Sequence, residues 1–136
     1  AHSSDNTVIV ELPNVKIPAS AIITNVAAVV KTASDLSTHK VNIQMSATSG
    51  TAADSSISSG TELLGVGASN TDASDGTLAQ DIDLKNDPKE VWICRDTVIN
   101  GSSDQYVYIC NGGSSNGTTN SVTGTLIVFI DYYGMD

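Results

Sequence analysis

The stretch Val122-Thr-Gly-Thr-Leu-Ile-Val-Phe-Ile-Asp-Tyr-Tyr133 constrains this chain most. It is β-branched and aromatic almost throughout, which favours a strand over a helix. A long strand that is apolar on both faces needs neighbours on both. The expectation is an all-β sandwich in which this strand is central, or one in which it lies in a subunit interface. Leu126, Val128, Phe129, Tyr132 and Tyr133 are the candidate interface residues. Tyr132 and Tyr133 point to opposite faces of a strand, so at least one belongs to an interface or to the surface.

The chain has 136 residues and suits a single domain, residues 1–136, with Ala1–Asn6 as a flexible N-terminal arm. A domain of this size buries about two-thirds of its extended surface. Its core has few rings, because the aromatic residues all lie after residue 91: Trp92, Tyr106, Tyr108, Phe129, Tyr132 and Tyr133. Twelve of the fifteen acids are Asp, and Ser and Thr fill 32 positions. Asp, Ser and Thr favour turns and caps over helix interiors, so this composition reads as short strands joined by hydroxyl-rich loops. The net charge is −9, with Arg95 and five scattered Lys as the only bases. No basic patch can form, which argues against a nucleic-acid partner. No apolar run approaches membrane-spanning length. The N-terminus lacks a basic start and an apolar segment, so no signal peptide is expected there, and the chain reads as made in a cytosol.

Period-two alternation is clearest at His39–Thr48, where Val41, Ile43, Met45 and Ala47 face in and Lys40, Asn42, Gln44 and Ser46 face out. Thr7–Leu12 reads as a first strand, with Val8, Val10 and Leu12 on one face. Pro13 and Pro18 bracket a linking turn. Ala21–Ala33 reads as a long strand. Gly50–Gly76 is a Ser- and Gly-rich excursion with one short helical turn near Ser58–Leu64. Leu78–Leu84 is a short strand with Ile82 and Leu84 inward. Val91–Ile99 and Gln105–Asn111 read as a hairpin that sets Val98 opposite Tyr106 and Cys94 opposite Cys110. A second glycine-rich connection, Asn111–Asn120, leads to the last strand. The fold class is therefore all-β: a single antiparallel sandwich, jelly-roll-like, with about seven or eight strands and long Ser/Gly-rich loops.

No residue set announces chemistry. His2 and His39 have no converging partners at useful spacing. No Gly-x-Ser-x-Gly elbow or phosphate loop is present, and Gly65-Val-Gly67 lacks a strand–helix context. Asp72, Asp75, Asp81 and Asp83 offer oxygen ligands of the kind Ca²⁺ takes, but the spacing is not that of an EF-hand, and turn-forming or outward-facing charges account for them. Cys94 and Cys110 are either a cross-strand disulfide or two small buried thiols, and cytosolic synthesis favours the thiols. Trp92, Tyr106, Tyr108, Tyr132 and Tyr133 form either a sugar-stacking platform or a packed face. Asn100-Gly-Ser102 and Asn116-Gly-Thr118 match the glycosylation pattern, but Asn-Gly is also a turn signal. The expectation is a non-enzyme with no catalytic, cofactor-binding or metal-binding residues.

Three segments carry a family likeness: Leu12-Pro-Asn-Val-Lys-Ile-Pro18-Ala-Ser-Ala-Ile-Ile-Thr24, then Val41–Gly50 with the loop to Gly65, then Gly124–Tyr133. In these the chain resembles the small head-decoration and head-fibre proteins of tailed bacteriophages. The resemblance implies a capsid decoration or cement protein made in the host cytoplasm and found on the virion's outer surface. It further implies a homotrimer whose partner is the major capsid protein of the same virion. Outside that family, the composition also suits a carbohydrate- or receptor-binding module, or a bacterial adhesin or filament subunit.

Overall fold

The computed structural model describes residues 8–32, 40–53, 55–57, 60–64, 71–73, 82–83, 91–94, 97–111 and 124–134. His2, His39, Asp75, Asp81, Leu84, Asn116, the N-terminal arm and most of the Asn111–Asn120 connection lie outside them. The described residues form β1 (Val8–Ile17), β2 (Ile22–Thr32), β3 (Lys40–Ser46), β4 (Thr61–Leu64) and β5 (Thr71–Ala73), followed by β6 (Ile82–Asp83), β7 (Val91–Cys94), β8 (Val98–Ile99), β9 (Gln105–Asn111) and β10 (Thr125–Tyr133). All pairings are antiparallel. The first sheet runs β1-β9-β3-β4, with β6 also on β3, and the second runs β10-β2-β7-β5, with β8 also on β2.

The sheets pack face to face as a sandwich. Ile23, Val26, Ala28 and Val30 of β2 meet Val41, Ile43 and Met45 of β3, Val107 and Ile109 of β9, and Leu63, Leu64 and Ile82. All of these are small or medium aliphatics, as a core without rings demands. The alternation at β3 holds for Val41, Ile43 and Met45, whereas Ala47 lies past the strand and is exposed.

Asn42, Gln44 and Ser46 do face away from this core, yet they are buried. Residues 47–53 and 55–57 fold back over the outer face of the first sheet and cover them. There Ile57 packs with Val8, Tyr108 and Cys110 in a second small cluster. Polar bonds tie the cover down. The Tyr108 hydroxyl donates to the Thr48 carbonyl at 2.6 Å and accepts from the Thr51 backbone N–H at 3.3 Å. Glu11 Oε2 accepts from the Gly50 N–H at 2.7 Å. The outward polar groups are also bonded to each other, Gln44 Nε2 donating to Asn42 Oδ1 at 2.9 Å.

Several expectations need correction. β1 is not ended by Pro13. It runs on to Ile17 through a bulge in which Leu12–Val15 stand against Val107 alone, between the pairs Glu11–Tyr108 and Lys16–Tyr106. Pro13 is tolerated because β1 is an edge strand and the bulge needs no ladder bond there. Asn14 takes the left-handed φ of 61° inside it. A second irregularity at Ile9 puts Val8 in the outer cluster and leaves Val10 exposed, so Val8, Val10 and Leu12 do not share a face. The turn lies after Pro18, whose carbonyl accepts from the Ala21 N–H at 3.2 Å, with Ser20 at φ 61°. Positive φ at only the third turn residue is the type II pattern. Thr61–Leu64 is a strand rather than a helical turn. The hairpin from 91 to 111 does not form. β7 pairs with β2 and β5, whereas β9 pairs with β1 and β3. Cys94 therefore stands opposite Val26 in the second sheet, Cys110 stands opposite Val8 and Asn42 in the first, and Cys110 is a free buried thiol. The physical reason is long-range ladder pairing, which gives each strand more hydrogen bonds than a local turn at Asn100 supplies.

Candidate interaction surface

Among the described residues β10 is an edge strand, so of the two expected placements, central or in a subunit interface, it does not take the central one. It pairs along its whole length with β2 and, among the described residues, with no other strand. Its alternation divides the predicted interface residues. Leu126, Val128 and Ile130 turn inward and pack, half-buried, on the main core. Phe129 and Tyr133 turn outward and are exposed, as is Ile127, which the sequence reading left out. The parity shared by residues 127, 129 and 133 is the signal that would have separated these groups.

The outward residues fall into rows across the second sheet. Ile127 lies opposite Val29, and Val29 opposite Val91. Phe129 lies opposite Ala27, and Ala27 opposite Ile93. A polar row follows, in which Asn25 Nδ2 donates to Asp131 Oδ2 at 3.3 Å. Then Tyr133 lies opposite Ile22, which pairs on its other side with Ile99. Ile99 is 73% and Tyr133 72% exposed. Nothing in the sequence distinguished Ile99, because its neighbour depends on the β8–β2 pairing. An outward sheet face is normally the polar one, so the exposed apolar side chains on both sides of the polar Asn25–Asp131 row make this face a candidate contact surface.

The two edge strands β1 and β10 lie on one flank of the sandwich. Between them runs a cleft of about 290 Å³ lined by Leu12, Val15, Ile17, Val128, Ile130 and Tyr132, with Lys16 at its rim. Lys16 Nζ is 3.3 Å from Asp104 Oδ2, and Asp104 Oδ1 accepts from the Ala19 N–H at 3.0 Å. That backbone bond first, and then the lysine, hold Asp104 below the usual carboxylate range. Asn100 anchors the same end from within. Its buried amide donates to the carbonyls of Pro18 at 2.7 Å and Ser103 at 3.1 Å, so the Asn100 glycosylation sequence has its acceptor nitrogen committed.

The aromatic residues are not gathered into one platform. Tyr108 is buried beneath residues 47–53 and 55–57, Trp92 belongs to β7 of the other sheet, and Tyr132 and Tyr133 end β10 on its opposite faces. Burial pushes the Cys110 thiol up to about 12, which keeps it protonated and inert. Among the described residues no three His, Cys, Asp or Glu side chains converge on a metal-sized site, and no helix is long and apolar enough to cross a membrane. No protein-family model matches the chain, and neither the curated proteins nor the solved structures contain a match.

Proposed function

We propose that this chain is a non-enzymatic structural protein that decorates an assembled phage head, binding the major capsid protein at the virion's outer surface. One observation supports this above the others. The first sheet's outer face is covered by the chain's own residues 47–53 and 55–57, whereas the second sheet presents Ile127, Phe129, Tyr133 and Ile99 exposed beside an edge that is free among the described residues. A sandwich that seals one face and leaves the other apolar is built to lie against something large. The likeness of Leu12–Thr24, Val41–Gly65 and Gly124–Tyr133 to head-decoration proteins names that something as a capsid lattice. Such a protein would act by mass action, stabilising the lattice state that it binds.

The test is co-sedimentation of the purified chain with expanded, DNA-free heads of the phage whose genome encodes it. The expected result is binding that saturates at a fixed ratio to coat protein, with a rise in the temperature at which the heads disrupt. Absence of binding at saturating protein would overturn the reading.

A further inference from the structure

Edge strands of natural sheets carry lysines, prolines or bulges that stop them from pairing with another chain. Thr125–Tyr133 has no lysine and no proline, and its one charge is Asp131. Both register skips on its ladder fall in β2, at Thr24 and Lys31, so β10 itself runs without a bulge. It is a nine-residue strand with an open main-chain edge among the described residues.

We propose that β10 pairs antiparallel with β10 of a second copy of this chain, joining the two second sheets into one across a two-fold axis. An antiparallel pair of identical strands satisfies two-fold symmetry without any second sequence, so the contact is self-complementary by construction. The side chains select the register. Residues opposite each other must share a face, which leaves only a few placements of the axis. With the axis at Val128, Thr125 meets Asp131, Ile127 meets Phe129, Leu126 meets Ile130, and Gly124 meets Tyr132. The strand's only charge then faces a hydroxyl donor, the large outward apolar side chains face each other, and the bulky inward tyrosine faces a glycine. Moving the axis to Phe129 sets Ile127 against Asp131, and moving it to Ile130 sets Phe129 against Asp131. Either arrangement strips water from a carboxylate against an apolar side chain.

The contact is smaller than a standard interface, as a pairing joined mainly through main-chain hydrogen bonds is. Phe129, Tyr132 and Tyr133 are 53, 42 and 72% exposed. At roughly 200 Å² per aromatic side chain these three alone offer about 330 Å². A standard interface takes about 800 Å² from each partner. Ile127 and the main-chain edge add to this, so the pairing is a modest contact held largely by ladder hydrogen bonds. The contact is two-fold, unlike the trimer that the family likeness implies. Pairing would also make the two apolar outer faces one continuous platform.

The inference stands on the edge geometry and not on the capsid reading. The mass measurement contains no heads, so failure of one leaves the other standing. Sedimentation equilibrium of the parent chain across about 10 µM to 1 mM should give twice the 14.0 kDa protomer mass. Phe129→Lys and Ile127→Lys each place an exposed charge at the contact and should weaken dimerisation by about 100-fold while leaving the circular dichroism unchanged. Val128→Cys, which faces its own copy across the axis, should crosslink under mild oxidation faster than Phe129→Cys. A monomer at every concentration, a trimer, or a dimer indifferent to both lysine variants would each overturn the proposal.

Discussion

Replacing Asn100 by alanine should cost a large part of the fold's stability. Its amide donates to Pro18 and Ser103 carbonyls at 2.7 and 3.1 Å and approaches the Ile17 carbonyl at 3.4 Å, all from a site only 4% exposed. Its backbone N–H meanwhile donates to the Ala21 carbonyl at 2.8 Å, a bond that alanine keeps. Two good side-chain bonds at about 1 kcal/mol each, plus part of the desolvation cost of the carbonyls left behind, give a loss of about 2–3 kcal/mol. Asn100→Asp should be worse at neutral pH, because a carboxylate would face the carbonyl oxygens that the amide now serves. Those oxygens raise the pKa of an acid at this position in the folded state. The acid's burden is therefore lifted as pH falls below its folded pKa, and Asn100→Asp should recover part of its loss near pH 4 while Asn100→Ala does not. Urea unfolding of the three proteins at pH 7 and pH 4 measures both effects. An alanine variant within about 0.5 kcal/mol of the parent would refute the argument that this amide pins the β1–β2 turn to the loop before β9.

Three further outcomes follow from individual contacts. A Cβ at Gly60 would lie 2.6 Å from the buried Gln44 Oε1 and 3.3 Å from Ile57, so Gly60→Ala should destabilise by about 1–3 kcal/mol in the same urea assay. Cys110 should resist iodoacetamide at pH 8 in the folded protein and react after unfolding. Because its pKa is raised to about 12, it favours the folded state below the unfolded thiol pKa, and stability should fall as pH rises above about 9. Asp104 is shifted the other way, so its contribution is present above about pH 4 and is lost as pH falls through its lowered folded value. Asp104→Asn should flatten the acid limb of melting temperature against pH below about pH 4.

Local pattern reported faces well and neighbours badly. The alternation of Val41, Ile43 and Met45 placed them in the core, and it also placed Asn42, Gln44 and Ser46 on the other side. What it could not contain is that residues 47–53 and 55–57 return to bury that other side, because covering is a non-local event. β1 was legible as a strand, but Pro13 was read as a turn where it marks a bulge; both are ways of avoiding a ladder bond. The Asn100-Gly101 signal suggested a hairpin, yet β8 chose β2 and β9 slotted between β1 and β3. For β10, apolarity on both faces suits a central strand or one in a subunit interface equally well. Strand composition records the total burial a segment is suited to, and it does not say whether the chain itself or another copy supplies that burial. Only the ladder with β2 shows that Leu126 and Val128 pack on the core while Ile127, Phe129 and Tyr133 face outward.

The charge of the chain supplies an independent check on the edge contact. Each copy carries a net −9, and bringing two together sums repulsion over the whole surface. The proposed contact itself contains one charge per strand, Asp131, set against Thr125. Salt therefore screens the repulsion between protomers while having little attraction to weaken at the interface. The dimer's dissociation constant should fall between about 50 mM and 0.5 M sodium chloride, since added salt also favours apolar burial slightly. Sedimentation equilibrium at both salt concentrations measures it. A contact held by ion pairs would behave oppositely and loosen with salt, and that outcome would place the interface on some other, charged part of the surface and refute an apolar edge pairing at β10.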